Sequence, residues 1–125
     1  MKRFLLLLVV TSIGFVSKAQ IRYLVKFKDK GTSPYSIYSP TNYLSPRAIA
    51  KRTRYSINID SLDLPVTPRY IDSVRLAGAV TILNVSKWLN QVSIQTTDAA
   101  ALAKINSFPF VQSASQIAAR TTSTN

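Results

Sequence analysis

The sequence of 125 residues contains no histidine, no cysteine and no glutamate. Without histidine it cannot form a Ser-His-Asp or Cys-His relay, and without cysteine it has no thiolate nucleophile, disulfide or Cys/His zinc site. Only Asp60 and Asp63 are near neighbours among its five aspartates, whereas acid-base catalysis usually needs a close carboxylate pair. We predict that these two aspartates organise a turn before Pro65. We therefore expect no catalytic residue, metal or cofactor in this chain, and a binding, inhibitory or folding role.

The first 19 residues have the composition of an export signal. Residues 1–3 give a positive start, residues 4–16 form an apolar run, and Ser17 and Ala19 are small residues at the positions that signal peptidase reads. The apolar run is shorter than the ~20 residues that a membrane-spanning helix needs. We predict a signal peptide cleaved between Ala19 and Gln20, and a secreted or periplasmic product that is free of the membrane after cleavage.

Positive charge dominates the rest of the chain. Cleavage would remove Lys2, Arg3 and Lys18, which leaves 13 basic residues against five acidic ones, a net charge of +8. Four of the basic residues lie within 47–54, and three of these share one helical face. We interpret this patch as solvated surface, with an acidic partner or the cell envelope as the alternative. The patch consists of Arg47, Lys51, Arg52 and Arg54.

The exported part predicts one domain of strands and helices. Ser45-Pro46 and Thr67-Pro68 each combine a capping residue with a proline at the first helical position, and Thr97 can cap a third helix. Gly78 is placed to end the second helix in the left-handed conformation. The predicted strands are 21–28, 79–85, 91–96 and 110–117, and the predicted helices are 45–54, 67–78 and 98–106.

The order of these elements predicts an α+β domain, a ferredoxin-like split β-α-β arrangement with a four-stranded antiparallel sheet and helices on one face. The other face of the sheet is then open. The second strand carries apolar residues on both of its faces, and Trp88 and Leu89 follow it directly. An exposed apolar sheet face usually marks a partner surface.

Five segments carry a resemblance to a known family. The run SKWLN at 86–90 and the boundary DLPV at 63–66 are its most specific parts. In sequence, order and spacing, nearly all of 21–117 resembles the N-terminal propeptide of secreted Bacteroidetes-type subtilisin-like serine peptidases. The segments are YLVKFKDKG (23–31), LSPRAIAKRTR (44–54), LDLPVTPRYIDSV (62–74), NVSKWLNQVSIQT (84–96) and INSFPFV (105–111).

The resemblance implies an intramolecular chaperone and temporary inhibitor of a subtilisin-like peptidase domain that would follow this segment in a precursor. Residues 1–19 are then the signal peptide, 20–117 the propeptide-like domain and 118–125 a flexible tail or linker. The open sheet face would dock on the peptidase, and the tail would occupy its active-site cleft. The residues implied for docking are Val80, Ile82, Trp88, Leu89, Val92 and Ile94, and those implied for the cleft are Ser115, Gln116, Ile117 and Ala118.

Two alternatives remain open at this point. A free-standing secreted inhibitor of subtilisin-like peptidases, acting in trans, would have the same fold and the same tail. A nucleic-acid binder of the RNA-recognition type would use Tyr23 and Phe27 on the first strand for base stacking. Val92, Ile94 and Thr96 occupy the third strand, where that domain needs aromatic residues, so we expect no nucleic-acid partner.

Overall fold

A four-stranded antiparallel sheet lies at the centre of the fold. The computed structural model describes residues 21–118. The α+β class predicted from the order of the elements is confirmed. The strands are β1 (Arg22–Phe27), β2 (Thr81–Ser86), β3 (Gln91–Gln95) and β4 (Val111–Gln116), and the helices are α1 (Pro46–Arg54), α2 (Pro68–Arg75) and α3 (Ala99–Ser107).

The strands lie in the order β2-β3-β1-β4, and every neighbouring pair is antiparallel. Helices α1 and α2 connect β1 to β2, and α3 connects β3 to β4. Each helical connection therefore joins two strands that are separated by one other strand, which is the order of a split β-α-β arrangement. Strands β2 and β4 form the two edges of the sheet.

Alternation along the central strands decides which side of the sheet is buried. Val25 of β1 lies opposite Val92 of β3, and Tyr23 lies opposite Ile94. These residues share one face with Phe27, because successive side chains of a strand point to opposite sides. The alternation in the sequence predicts this face of β1, and the structure confirms it.

Helices α2 and α3 cover this face and complete the core. Tyr70 and Val74 of α2 and Ile105 of α3 are buried in the same cluster as the strand residues. The ring of Tyr70 is stacked on Phe110, with 4.1 Å between the ring centroids. Each such side chain contributes about 1.5–3 kcal/mol when it is removed from water.

The three helix starts only partly follow the sequence pattern. Ser45 caps α1 as predicted, since its Oγ accepts the backbone N–H of Ala48 at 3.2 Å. Thr67 instead donates its hydroxyl to the carbonyl oxygen of Gly31 at 3.1 Å and holds the preceding loop on α2. Helix α3 is capped by Asp98, not Thr97, because the Asp98 carboxylate accepts the backbone N–H of Ala101 at 3.1 Å.

Gly78 has a different role from the one predicted. None of the described glycines has a positive φ, so Gly78 does not end α2 in the left-handed conformation. A Cβ at this position would lie 2.5 Å from Oδ2 of Asp98 and 2.7 Å from Cβ of Ala101. The glycine therefore allows the segment after α2 to approach the start of α3, because no side chain fits between them.

Candidate docking surface

The turn between β2 and β3 is fixed to the end of β1 by Asn90. The Nδ2 of Asn90 donates to the carbonyl oxygens of Phe27 and Asp29, at 3.3 and 2.7 Å. The backbone N–H of Phe27 donates in return to the carbonyl of Asn90 at 2.9 Å. Asn90 has φ 51°, a left-handed conformation that asparagine tolerates better than most residues. The turn is thus held in one geometry by the core strand beside it.

The turn and the strand β2 before it carry four exposed apolar side chains, which we call the hairpin patch. The exposed fractions are 56% for Trp88, 59% for Leu89, 44% for Leu83 and 41% for Val85. The Nζ of Lys87 lies 4.7 Å from the centroid of the Trp88 ring, in a cation-π contact. Large apolar side chains gathered on a rigid element, and not folded back over the core, are typical of a protein-binding site.

The hairpin patch combines two of the six residues implied for docking with two further residues of the second strand. Trp88 and Leu89 are two of the six, and Leu83 and Val85 belong to the apolar residues that the sequence places on both faces of that strand. A bulge between Ile82 and Asn84 interrupts the pairing with β3 and makes Leu83 the extra residue. Val85 lies on the core side but at the sheet edge, where no helix covers it, so it stays exposed. The alternation of apolar residues in the sequence does not reveal the bulge that exposes Leu83. The edge position that exposes Val85 depends on the order of the strands in the sheet, which the alternation does not give.

Four of the six predicted docking residues lie elsewhere. Val92 and Ile94 are fully buried in the core beneath α2 and α3, so they form no part of an exposed docking face. Val80 and Ile82 are partly buried and pack against the same core. The reason is that the inward side of β3 is the side that carries its valine and isoleucine, and the helices cover this side.

The open face of the sheet is polar, so the expectation of an apolar open face is wrong. The register places Leu24 between Ser93 and Ser115, and Lys26 between Gln91 and Ser113. Arg22 lies opposite Gln95, and the β2 residues on this side are Thr81, Asn84 and Ser86. Leu24 is the one apolar side chain in this set, so the candidate docking surface is the hairpin patch and not the open face.

Most of the predicted cleft-occupying tail belongs to the sheet. Ser115 pairs with Leu24 and Gln116 pairs with Tyr23. The backbone N–H of Ile117 donates to the carbonyl of Arg22 at 2.8 Å. Of the four predicted residues, Ala118 alone follows these contacts. The other tail residues, 119–125, and the predicted cleavage site at Ala19 and Gln20 lie outside the described residues.

All five aspartates are engaged in structural contacts. Asp63 pairs with Arg52 and Asp72 with Arg75. Asp60 and Asp63 form a reciprocal capping box around the short 3-10 helix Ser61–Asp63, as their predicted role in this turn requires. The backbone N–H of Gly31 and the hydroxyl of Tyr70 lower the pKa of Asp29, and the backbone N–H groups of Ala101 and Ala79 lower the pKa of Asp98. In Asp29 and Asp98 these hydrogen bonds favour the charged form of the carboxylate.

Two further observations concern the part of the chain between residues 21 and 118. It contains no group of three or more acidic side chains that is able to hold a metal ion. It also contains no helix that is both long enough and apolar enough to cross a bilayer. The candidate site of this domain is the hairpin patch on β2 and the turn that follows it.

Comparison with known families gives one match. The family model described as "Peptidase S8 propeptide domain, Bacteroidota" matches residues 22–125. The matched range begins at the first residue of β1 and includes every strand and helix described above. Comparison with curated proteins and comparison with solved structures gave no match.

Proposed function

Because the chain belongs to the Bacteroidota peptidase S8 propeptide domain family, we propose that it assists the folding of a subtilisin-like peptidase domain and then inhibits it until the two are separated. The family match over residues 22–125 carries this proposal. A propeptide domain of this family associates with a peptidase domain and is not catalytic by itself. The same contacts would inhibit a peptidase domain that follows in one precursor or a separate peptidase that is bound in trans. In the first case the N-terminal signal would export the propeptide and the peptidase domain together.

The hairpin patch is the proposed anchor on the peptidase domain. Tryptophan is enriched among interface residues that contribute 2 kcal/mol or more, and such residues lie in apolar pockets that exclude water. Trp88 and Leu89 are the most exposed members of the patch, and Asn90 holds their turn rigid. A preformed turn has little conformational entropy left to lose on binding, so its apolar contacts convert efficiently into affinity.

The tail is the proposed inhibitory element. Strand β4 is an edge strand, and the last backbone hydrogen bond to β1 is made by Ile117. Binding of the segment that begins at Ala118 would break none of the described hydrogen bonds of the sheet. We assign the blockade of the active-site cleft to the segment that begins at Ala118, in place of the earlier start at Ser115.

An inhibition assay tests the anchor. The exported chain, starting at Gln20, is titrated into a purified Bacteroidota peptidase S8 domain with a chromogenic peptide substrate. We expect the double variant Trp88→Ser/Leu89→Ser to raise the inhibition constant by about 100-fold, which corresponds to roughly 2.8 kcal/mol lost from two anchor side chains. Far-UV circular dichroism establishes that the variant keeps its fold.

The matched control removes two apolar side chains that are at least as exposed but lie outside the hairpin. Tyr38 and Leu76 have exposed fractions of 88% and 76%. The variant Tyr38→Ser/Leu76→Ser should inhibit like the unmodified chain. If both double variants lose inhibition equally, the hairpin is not the anchor.

Truncation separates docking from blockade. A chain that ends at Ile117 keeps the sheet and the hairpin patch, so it should still bind the peptidase domain while substrate hydrolysis is largely restored. Calorimetry measures the binding and the substrate assay measures the blockade. Full inhibition by the truncated chain would show that the tail does not enter the cleft.

A further inference from the structure

Helix α1 presents a row of three cationic side chains along one side of a groove. Arg47, Lys51 and Arg54 are exposed, and they are four and three residues apart, a spacing that places them on one face of a helix. With Ala50 and Tyr55 they line a groove of about 400 Å³, which we call the α1 groove. This volume lies within the range of ligand-binding clefts in proteins. The groove is separate in sequence from the hairpin patch and from the tail.

The row has no acidic partner among residues 21–118. All five aspartates are committed to other contacts, and the described ion pairs are Arg52–Asp63 and Arg75–Asp72. Arg52, the fourth basic residue of this helix, pairs with Asp63 and does not line the groove. The interpretation of all four residues as one solvated patch is therefore wrong for Arg52, and the other three form a distinct set.

The helix itself gains little from this arrangement. Arg47 is the second residue of α1, near the positive end of the helix dipole, where a cation is unfavourable, and the first turn contains no acidic residue. Lys51 has a like charge on each side at helical neighbour positions, which is also unfavourable. Lys51 and Arg54 in the last turn interact favourably with the negative end of the helix dipole, whereas Arg47 lies near the positive end. A bound anion would offset both penalties.

The length of the row indicates the kind of anion. Arg54 lies seven positions after Arg47, and at 1.5 Å per residue this is about 10 Å along the helix axis. A single phosphate is too small to bridge that distance. Alternate side chains of an extended peptide lie about 7 Å apart, so two or three carboxylates match the row. The Tyr55 ring, with the Arg54 guanidinium carbon 5.9 Å from its centroid, adds an apolar wall that suits a peptide backbone.

We infer that the α1 groove binds an extended acidic peptide segment. Resting on the proposed function, we assign this segment to the surface of the peptidase domain. Contacts of this kind mainly accelerate association, because long-range attraction between opposite charges steers the encounter. The groove thus supplies steering, while the hairpin patch supplies the apolar anchor.

The first experiment needs no peptidase. Hexaglutamate is titrated into the exported chain at low salt, with backbone amide shifts followed by NMR. We expect shifts centred on residues 47–55, and binding weakened about tenfold or more by Arg47→Gln/Lys51→Gln/Arg54→Gln and by 0.3 M salt. The control Lys28→Gln/Arg69→Gln/Lys104→Gln removes the same charge from other elements and should bind almost as tightly as the unmodified chain.

Other outcomes overturn the inference. Equal weakening by the two triple variants would mean that net charge alone attracts hexaglutamate. Shifts centred outside residues 47–55 would place the site elsewhere. Tighter binding to inorganic phosphate, or to vesicles containing phosphatidylglycerol, would identify a phosphate group as the ligand in place of an acidic peptide.

The second experiment tests the assignment to the peptidase domain. In stopped-flow binding at low salt, the groove variant should associate with the peptidase S8 domain about tenfold more slowly, with a dissociation rate within about twofold of the unmodified chain. An unchanged association rate would mean that the acidic segment belongs to another partner. If the unmodified chain itself does not bind, the proposed function fails, whereas the hexaglutamate result on the groove still stands.

Discussion

Asp63 is the one charged side chain that is fully buried within residues 21–118. It accepts from the Arg52 guanidinium and, through its second oxygen, from the backbone N–H of Asp60. Lys30 donates to three carbonyls of the same turn, including that of Leu64 at 2.6 Å. The sequence predicted the turn because two aspartates precede a proline. The partner Arg52 could not be predicted, since it lies 11 residues away on another element.

Replacing Asp63 by asparagine should destabilise the domain by about 3 kcal/mol, because it leaves Arg52 without its buried partner. The matched control is Asp72→Asn, which breaks the exposed pair with Arg75 and should cost less than about 0.5 kcal/mol. Urea unfolding followed by circular dichroism measures both values. Equal costs for the two substitutions would mean that burial does not strengthen the Arg52–Asp63 pair.

Acid should destabilise the fold through Asp29 and Asp98. Hydrogen bonds lower the pKa of each below its ordinary value of 3.8. The folded state therefore favours the charged carboxylates more than the unfolded state does. Their contribution to the free energy of unfolding is complete at pH values above 3.8 and is lost as the pH falls below that value. Melting temperature measured from pH 7 down to pH 2 should fall in the acid range. The variant Asp29→Asn/Asp98→Asn should show a flatter curve, and an unchanged curve would contradict these contacts.

At the scale of elements, periodicity identified the strands but not their relation to the helices. The alternation in β1 and β3 predicts two faces for each strand, and it was correct for Tyr23, Val25 and Phe27. The assignment of Val92 and Ile94 to the open face is wrong. The register places them opposite Val25 and Tyr23, on the side of the sheet that the helices cover. In β2 the bulge and the edge position exposed Leu83 and Val85, and neither feature has a signal in the sequence.

The approach of α2 to α3 depends on Gly78. Gly78→Ala should cost about 1–3 kcal/mol, because the new methyl group meets Cβ of Ala101, which the helix holds in place. At Gly31 the closest atoms to an added Cβ are Oδ1 of Asp29 at 3.0 Å and the Tyr70 hydroxyl at 3.3 Å, and both contacts are longer than the two closest contacts at Gly78. Gly31→Ala should therefore cost less. Thermal unfolding of the two variants compares them, and a neutral Gly78→Ala would contradict the close packing.

At the scale of the whole molecule, the missing histidine and cysteine exclude a Ser-His-Asp relay and a Cys/His metal site within these 125 residues. The family resemblance read from the sequence is confirmed by the match to residues 22–125. The class of fold followed from the order of elements, because strands and helices alternate in a way that few arrangements accommodate. The docking surface did not follow, since it depends on which side chains the tertiary structure leaves exposed.

The most direct test of the account is the refolding of a denatured Bacteroidota peptidase S8 domain with and without the exported chain. We predict that a concentration of about ten times the dissociation constant raises the recovered folded fraction several-fold, since it favours the folded domain by about 1.4 kcal/mol. The recovered peptidase should stay inactive until the chain is removed. An unchanged yield, together with full activity in the presence of the chain, would contradict the account.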